Sequence, residues 1–223
     1  MLIDIHNIFK ITSKAEFEKM ALQMFAFQFE NNPIYRSFCD LLYKHPSDVH
    51  SIQEIPFLPI QFFKSHQILS NKEPVQKTFS SSGTTGSMIS KHSITNLGLY
   101  EKSFTRGFHH FYGEVREFVI LALLPSYLER EGSSLVYMVN ELIAQSGHDD
   151  SGFYLDNLDD LKNTLIRLDS QGQKVLLIGV SFALLDLVET FTFDLKNTIV
   201  METGGMKGRR KELIREELHE QLK

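Results

Sequence analysis

Apolar side chains recur at steps of three and four along the first part of the chain and predict two helices. Ser13 and Glu16 have the spacing of a capping box, in which each residue bonds the backbone of the other at a helix start. The apolar positions that follow keep helical spacing and predict a helix over residues 14–30. Pro33 then opens a second, shorter helix that ends before Pro46.

The pattern changes at residues 56–63, where two prolines stand among aromatic and aliphatic residues. Proline has no backbone N–H and biases its predecessor away from helix. Pro56 and Pro59 therefore predict an extended path that includes Phe57, Phe62 and Phe63.

From Lys77 onward, short apolar runs alternate with amphipathic ones. The candidate strands cover residues 77–79, 91–95, 118–124, 152–155, 174–180 and 197–201. Parallel neighbours need crossover helices, so this alternation predicts an α/β layered domain with a mostly parallel sheet flanked by helices. Leucine and isoleucine spacing predicts a last helix over residues 208–223.

A polar break at residues 71–76, with Pro74 inside it, divides these two patterns. It predicts a helical N-terminal subdomain at 1–76 and an α/β region at 77–223.

Composition and charge narrow the functional classes. The 223 residues are 42% hydrophobic and carry a net charge of −5, which predicts a folded domain and argues against general nucleic-acid binding. No apolar run has membrane-spanning length, and the N-terminus does not have the pattern of a secretory signal, so a cytoplasmic protein is expected. The single cysteine, Cys39, lies beside apolar residues on the second predicted helix and is expected to be buried. No metal site is predicted, because His109-His110 and His148-Asp149-Asp150 lack a suitably spaced third ligand.

A run of small hydroxyl residues and glycines at 80–87 carries the candidate chemistry. Small residues let the backbone curl so that successive N–H groups converge on an anion, and the hydroxyls add donors. Several donors of this kind could hold a polyphosphate without a basic patch. Composition alone leaves a flexible hairpin or linker equally open.

The order Ser82-Gly83-Thr84-Thr85-Gly86 resembles the phosphate loop of the adenylate-forming superfamily, which includes acyl-CoA synthetases, luciferases and peptide-synthetase adenylation domains. It is neither a Walker loop nor a dinucleotide-binding turn, which argues against kinases and dehydrogenases. The superfamily pattern continues with Pro-Lys. Here the first lysine after the loop is Lys91.

Three further segments, at residues 124–130 with 133–139, 179–185 and 201–209, together resemble the acyl-protein synthetases of bacterial bioluminescence, the LuxE type, and their non-luminous relatives. The similarity extends from residue 56 to residue 209. The resemblance implies the N-terminal portion of an acid–thiol ligase.

The resemblance also implies roles for individual residues. Those expected to bind the ATP phosphates are Ser81, Ser82, Gly83, Thr84, Thr85, Gly86 and Lys91. Those expected against the adenine are Thr203, Gly204, Gly205 and Met206. Those expected to line the acyl pocket are Pro125, Ser126, Tyr127, Val180, Ser181 and Phe182. Both nucleotide segments follow predicted strands, and the carboxyl ends of strands form the ligand crevice of open α/β sheets.

The implied reaction is activation of a carboxylic acid, fatty or aromatic, by ATP with Mg²⁺, followed by acyl transfer to a thiol. The acceptor would be a cysteine of the enzyme, an acyl-accepting protein such as a reductase, or coenzyme A. Superfamily members carry a catalytic lysine in a further C-terminal domain, so these 223 residues are expected to be inactive by themselves. Two alternatives stay open: an aryl- or acyl-CoA ligase resembling phenylacetate-CoA ligase, and a non-catalytic nucleotide-binding domain.

Overall fold

The computed structural model describes residues 5–81, 88–124, 132–204 and 213–222. The chain divides into two compact units, Met1–Leu97 and Gly98–Lys223. The division at 76/77 that the sequence predicts stays a prediction about domain organisation.

The first unit begins with a 3₁₀ helix, Ile5–Lys10, and two α-helices, α1 (Lys14–Asn31) and α2 (Pro33–Leu41). At the start of α1, the backbone N–H of Glu16 donates to Ser13 Oγ at 3.2 Å, and the N–H of Ser13 donates to the Glu16 carboxylate at 3.0 Å. The capping box and both helices are therefore confirmed.

Helix α2 ends in a turn that holds Tyr43 at a positive φ of 53°. The N–H of Lys44 donates to the carbonyl of Cys39, and the N–H of Tyr43 donates to that of Asp40. This is the Schellman pattern, whose left-handed position usually holds glycine. The core behind these helices consists of Phe25, Phe29, Tyr35, Cys39 and Val49.

A short 3₁₀ helix, Ile52–Glu54, precedes the proline-rich segment, which is only partly extended. Residues Phe62–Ser65 form a helical turn, α3, so the extended path predicted through Phe62 and Phe63 is wrong. The N–H of Phe62 donates to the carbonyl of Pro59 at 3.0 Å. Proline restricts the residue before it, whereas the residues after it can turn into a helix.

Two strands complete the first unit, β1 (Lys77–Ser80) and β2 (Lys91–Ile94). They pair in antiparallel register, with Phe79 opposite His92 and Ser80 opposite Lys91. Both predicted strands are confirmed. They form their own two-stranded sheet, separate from the parallel one.

The second unit alternates helices with strands. Its elements are α4 (Leu97–Tyr112), a 3₁₀ helix (Val115–Glu117), β3 (Val119–Leu123), α5 (Ser134–Ser146), β4 (Gly152–Phe153), α6 (Leu158–Ser170), β5 (Val175–Val180), α7 (Ser181–Thr190), β6 (Thr198–Thr203) and α8 (Arg215–Gln221). The strand order is β4-β3-β5-β6, and every neighbouring pair is parallel. The predicted α/β class with a mostly parallel sheet flanked by helices is confirmed.

Strands β3 and β5 lie in the middle of this sheet and are buried along their whole length. Ile120 and Leu176 belong to a cluster with Phe108 and Phe118. The residues beside them in the strands belong to a larger cluster with α6, α7 and α8. Helices therefore pack against both faces, which explains why β3 and β5 are continuous apolar runs rather than alternating ones.

The last helix is shorter than predicted. Its described part begins at Arg215, and Ile214 has an extended backbone at the N-cap position. Leu213, Leu218 and Leu222 still pack on the main core. Helical spacing therefore identified the packed face, but it could not locate the first helical residue, because a cap residue can also contribute to that face.

Candidate functional site

The glycine–threonine loop connects β1 to β2, and its two ends are joined by hydrogen bonds. The N–H of Ser81 donates to the carbonyl of Ser90 at 3.0 Å, and the N–H of Ser90 donates to Ser81 Oγ at 3.1 Å. Ser81 Oγ therefore acts as an acceptor at the base of the loop. Five predicted phosphate-binding residues lie outside the described residues: Ser82, Gly83, Thr84, Thr85 and Gly86.

Lys91 and His92 are the first two residues of β2 and follow the loop directly. Lys91 is exposed at the first position of the strand. The ring of His92 meets the ring of Phe63 edge-on, with 5.5 Å between the centroids. His92 is exposed as well, and partial desolvation lowers the pKa of its imidazole.

Three of the predicted acyl-pocket residues lie at the junction between β5 and α7: Val180, Ser181 and Phe182. Val180 and Phe182 are buried in the main core, and Ser181 is 1% exposed. No loop separates the strand from the helix, so the chain turns directly at Ser181. Pro125, Ser126 and Tyr127 lie outside the described residues.

The end of β6 carries the first two predicted adenine-binding residues. Thr203 is half-buried, and Gly204 is exposed with a φ of 82°, a conformation that favours glycine. The Ser181 hydroxyl donates to the Glu202 carboxylate and to the carbonyl of Gly204, the latter at 2.7 Å. The ends of β5 and β6 are thus linked through side chains. Gly205 and Met206 lie outside the described residues.

Glu202 is the residue that sequence reasoning missed. It is a half-buried carboxylate in the apolar strand β6, two residues before Gly204. A charged residue within such a run costs free energy unless it has a partner, and that is the signal that could have identified it.

The remaining candidates from the sequence have structural partners. Cys39 is fully buried, as predicted, and burial raises the pKa of its thiol, which keeps it protonated. His109 Nδ1 lies 3.0 Å from the carboxylate of Glu114. Asp150 bonds Arg167 at 2.5 Å, and His148 lies 3.6 Å from the same carboxylate group. Within the described ranges, no three potential ligands come together in a way that could hold a metal ion.

Two features define the class of protein. One is a parallel α/β sheet with a glycine turn and a linked carboxylate at the carboxyl ends of its strands. The other is a glycine–threonine loop closed at its base by Ser81 and Ser90. Together they define an α/β protein with a glycine-rich segment between two further strands.

The sequence profile described as acyl-protein synthetase, LuxE, matches residues 11–222. The chain therefore belongs to the LuxE acyl-protein synthetase family, a family of ligase-type enzymes, and the resemblance noted from its motifs is confirmed. No curated protein gave a significant match. In the part of the chain that the structure describes, every helix is too short or too polar to span a bilayer.

Proposed function

We propose that this protein uses ATP to convert a carboxylic acid into an acyl-adenylate and then passes the acyl group to a thiol. The observation that supports the proposal most is the family match, which runs through the glycine–threonine loop and the strand ends of the second unit. Acyl-protein synthesis needs an activated carboxyl group, because a free carboxylate is a poor electrophile.

In the first step, a carboxylate oxygen attacks the α-phosphorus of ATP. The bond from that phosphorus to the bridging oxygen of the β-phosphate breaks, and pyrophosphate leaves with the electron pair. In the second step, a thiolate attacks the acyl carbon and AMP leaves. Both steps depend on orienting charged groups and on stabilising charge as it develops, which a fixed set of N–H and hydroxyl donors can provide.

The proposal gives phosphate recognition to the segment between β1 and β2, and adenine recognition to the end of β6. The Ser81–Ser90 hydrogen bonds support the first assignment, because they hold together the two residues that flank the glycine–threonine segment. Lys91 adds a cation beside it. Mg²⁺ would accompany the triphosphate and neutralise part of its charge. Gly204 supports the second assignment, because a residue without a side chain permits flat contact with a purine ring.

The proposal takes a fatty or aromatic acid as the substrate, as the family resemblance implies. The acceptor thiol of the second step would not be Cys39, because that thiol is enclosed in the core of the first unit. The proposal therefore assigns acyl transfer to another thiol, on a protein or on coenzyme A.

Pyrophosphate exchange tests the first step. The protein expressed from the complete reading frame is incubated with ATP, labelled pyrophosphate and a series of carboxylic acids. We expect label to enter ATP only when a suitable acid is present. Thr85→Ala should lower kcat/KM for ATP by about 10- to 150-fold, the effect of one hydrogen bond to a charged group.

Thr78→Ala is the matched control, because Thr78 is an exposed hydroxyl residue of β1 that lies two residues before the run at 80–87. Its exchange rate should equal that of the wild type. Pyrophosphate exchange that does not depend on the acid would contradict the proposal. So would a Thr85→Ala variant that is as active as the control. Adding coenzyme A then separates a CoA ligase, which releases acyl-CoA, from an acyl-protein synthetase, which does not. A chain that binds ATP without exchange would favour the non-catalytic alternative.

A further inference from the structure

Ser181 connects two strand ends through a single hydroxyl group. The residue is 1% exposed and begins helix α7 directly after β5. Its hydroxyl donates to the carboxylate of Glu202 and to the carbonyl oxygen of Gly204. Because a hydroxyl has one proton, the two acceptors share it, and the Ser181 oxygen lies within hydrogen-bond distance of both at the end of β6.

This use of a serine at a helix start is unusual. A serine there commonly occupies the N-cap, where its oxygen accepts from the first backbone N–H groups of the helix. In α7 the N-cap is Val180, whose side chain cannot cap, and Ser181 lies one position later. The hydroxyl therefore contributes to the end of β6 rather than to its own helix.

The constraint acts on a residue with wide conformational freedom. Gly204 has a φ of 82°, and glycine can rotate into conformations that other residues cannot reach. A hydrogen bond to its carbonyl oxygen limits rotation about ψ. Glu202 lies two residues earlier and accepts from the same hydroxyl, so its contact helps to fix the position of the Ser181 side chain beside the turn.

We infer that Ser181 and Glu202 are positioning residues that keep the turn at Gly204 ready for the adenine ring. The inference rests on the proposed function and extends it to two residues. The family resemblance gave Ser181 to the acyl pocket, whereas its hydroxyl contacts assign it to the end of β6. Neither residue is expected to contact the phosphates.

Isothermal titration calorimetry of the 223-residue chain tests this with two probes, Mg·ATP and inorganic tripolyphosphate. Only the first probe carries a base. Ser181→Ala should raise the Kd for ATP by about tenfold, the effect of losing a net hydrogen bond of ordinary strength. Its Kd for tripolyphosphate should equal that of the wild type. A general loss of structure would weaken both probes, so the difference between them reports positioning.

Thr190→Ala is the matched control, because Thr190 also donates a side-chain hydrogen bond to a backbone carbonyl, that of Asp186, at the other end of α7. It should bind both probes like the wild type. Glu202→Ala, a change in the edge strand β6, should weaken the binding of ATP but not that of tripolyphosphate. This variant serves as the test if Ser181→Ala does not fold. Glu202→Gln keeps an acceptor oxygen and should restore ATP binding.

Two results would overturn the inference while the proposed function stands. In the first, Ser181→Ala and Glu202→Ala bind ATP as tightly as the wild type. In the second, both variants lose affinity for ATP and for tripolyphosphate to the same extent. A wild-type chain that binds neither probe would contradict the proposed nucleotide site, and the inference would fail with it.

Discussion

Gly179 and Leu184 approach so closely that a Cβ on the glycine would lie 2.8 Å from the Cγ of the leucine. Gly179 is near the end of β5, and Leu184 belongs to the first turns of α7. On the other side, the Cβ of Leu123 in β3 would be 3.0 Å away. The absence of a side chain at Gly179 therefore lets α7 start directly at the strand end, which is what brings Ser181 to β6.

Gly179→Ala should consequently destabilise the second unit. The added methyl group has to displace a buried leucine or a strand, and overpacking of this kind costs about 1–3 kcal/mol. Urea unfolding followed by circular dichroism measures the change. Gly107→Ala is the control, because Gly107 lies within α4 and a Cβ there meets nothing within 4 Å. Helix propensity predicts a gain of about 0.5–1 kcal/mol for it. Equal stabilities of the two variants would contradict the packing argument.

Tyr43 offers a stabilising substitution. It occupies the left-handed position after α2 and is 93% exposed, so its ring contributes little packing to offset the unfavourable φ. Tyr43→Gly should raise the free energy of unfolding of the first unit by about 0.5–1 kcal/mol, because the left-handed cost of about 1–2 kcal/mol exceeds the extra chain entropy of glycine. Tyr43→Ala removes the same ring but keeps a Cβ, so it should give no such gain. A gain of the same size from alanine would assign the effect to the ring instead.

The first unit should lose stability in alkali. Burial raises the pKa of the Cys39 thiol, and it also raises the pKa of the Tyr35 phenol, which donates to the carbonyl of Pro56 at 2.5 Å. A group whose pKa is raised by folding stabilises fully below its unfolded pKa, and that contribution is lost as pH rises through the folded pKa. The loss should therefore begin above about pH 8.5, the ordinary pKa of cysteine. The free energy of unfolding measured from pH 7 to 11 checks this.

Cys39→Ala separates the two groups, because it should delay the loss until above about pH 10, the ordinary pKa of tyrosine. A wild-type pH profile that is flat to pH 11 would be incompatible with a buried thiol and phenol. Iodoacetamide provides a second measurement: at pH 9 the folded protein should react far more slowly than the urea-unfolded chain.

Low pH should destabilise the start of helix α1. The backbone N–H of Thr12 bonds the Glu16 carboxylate at 2.9 Å, and this bond, with those from Ser13 and the Thr12 hydroxyl, lowers the pKa of Glu16. A lowered pKa gives stability above the unfolded pKa and loses it as pH falls through the folded pKa. Helix α1 should therefore begin to fray below about pH 4, near the ordinary pKa of glutamate. An NMR titration of the Glu16 side chain measures the midpoint.

Ser13→Ala is the informative variant for that titration. It removes the hydroxyl bonded to the N–H of Glu16 and weakens the box, so the Glu16 midpoint should move up toward that of an ordinary glutamate. An unchanged midpoint would mean that Ser13 contributes nothing to the lowered pKa.

Local patterns with a single physical cause were predicted well from the sequence. The capping box identified the start of α1, and the continuous apolar runs identified β3 and β5. Where two causes compete, the prediction failed. Pro59 restricts the residue before it yet starts a helical turn after it, and Phe62 and Phe63 follow the second effect.

The candidate site likewise has one part that local sequence predicts and another that depends on the fold. The order of residues in the glycine–threonine run predicts an anion-binding loop, because backbone N–H groups would supply the donors. The link between Ser181 and Glu202 joins residues 21 positions apart in the chain, so it depends on the pairing of β5 with β6. No local pattern contains that information, which is why Ser181 was predicted for a different role and Glu202 was not predicted at all.

The enclosed position of Cys39 has a practical consequence for studying this chain. It is the single cysteine among the 223 residues, and no part of it reaches solvent in the folded first unit. A cysteine introduced at an exposed position, such as Met88→Cys beside the loop, would be the one thiol that a maleimide dye reaches. Fluorescence from that dye could then follow ligand arrival in real time while the native cysteine stays in its core.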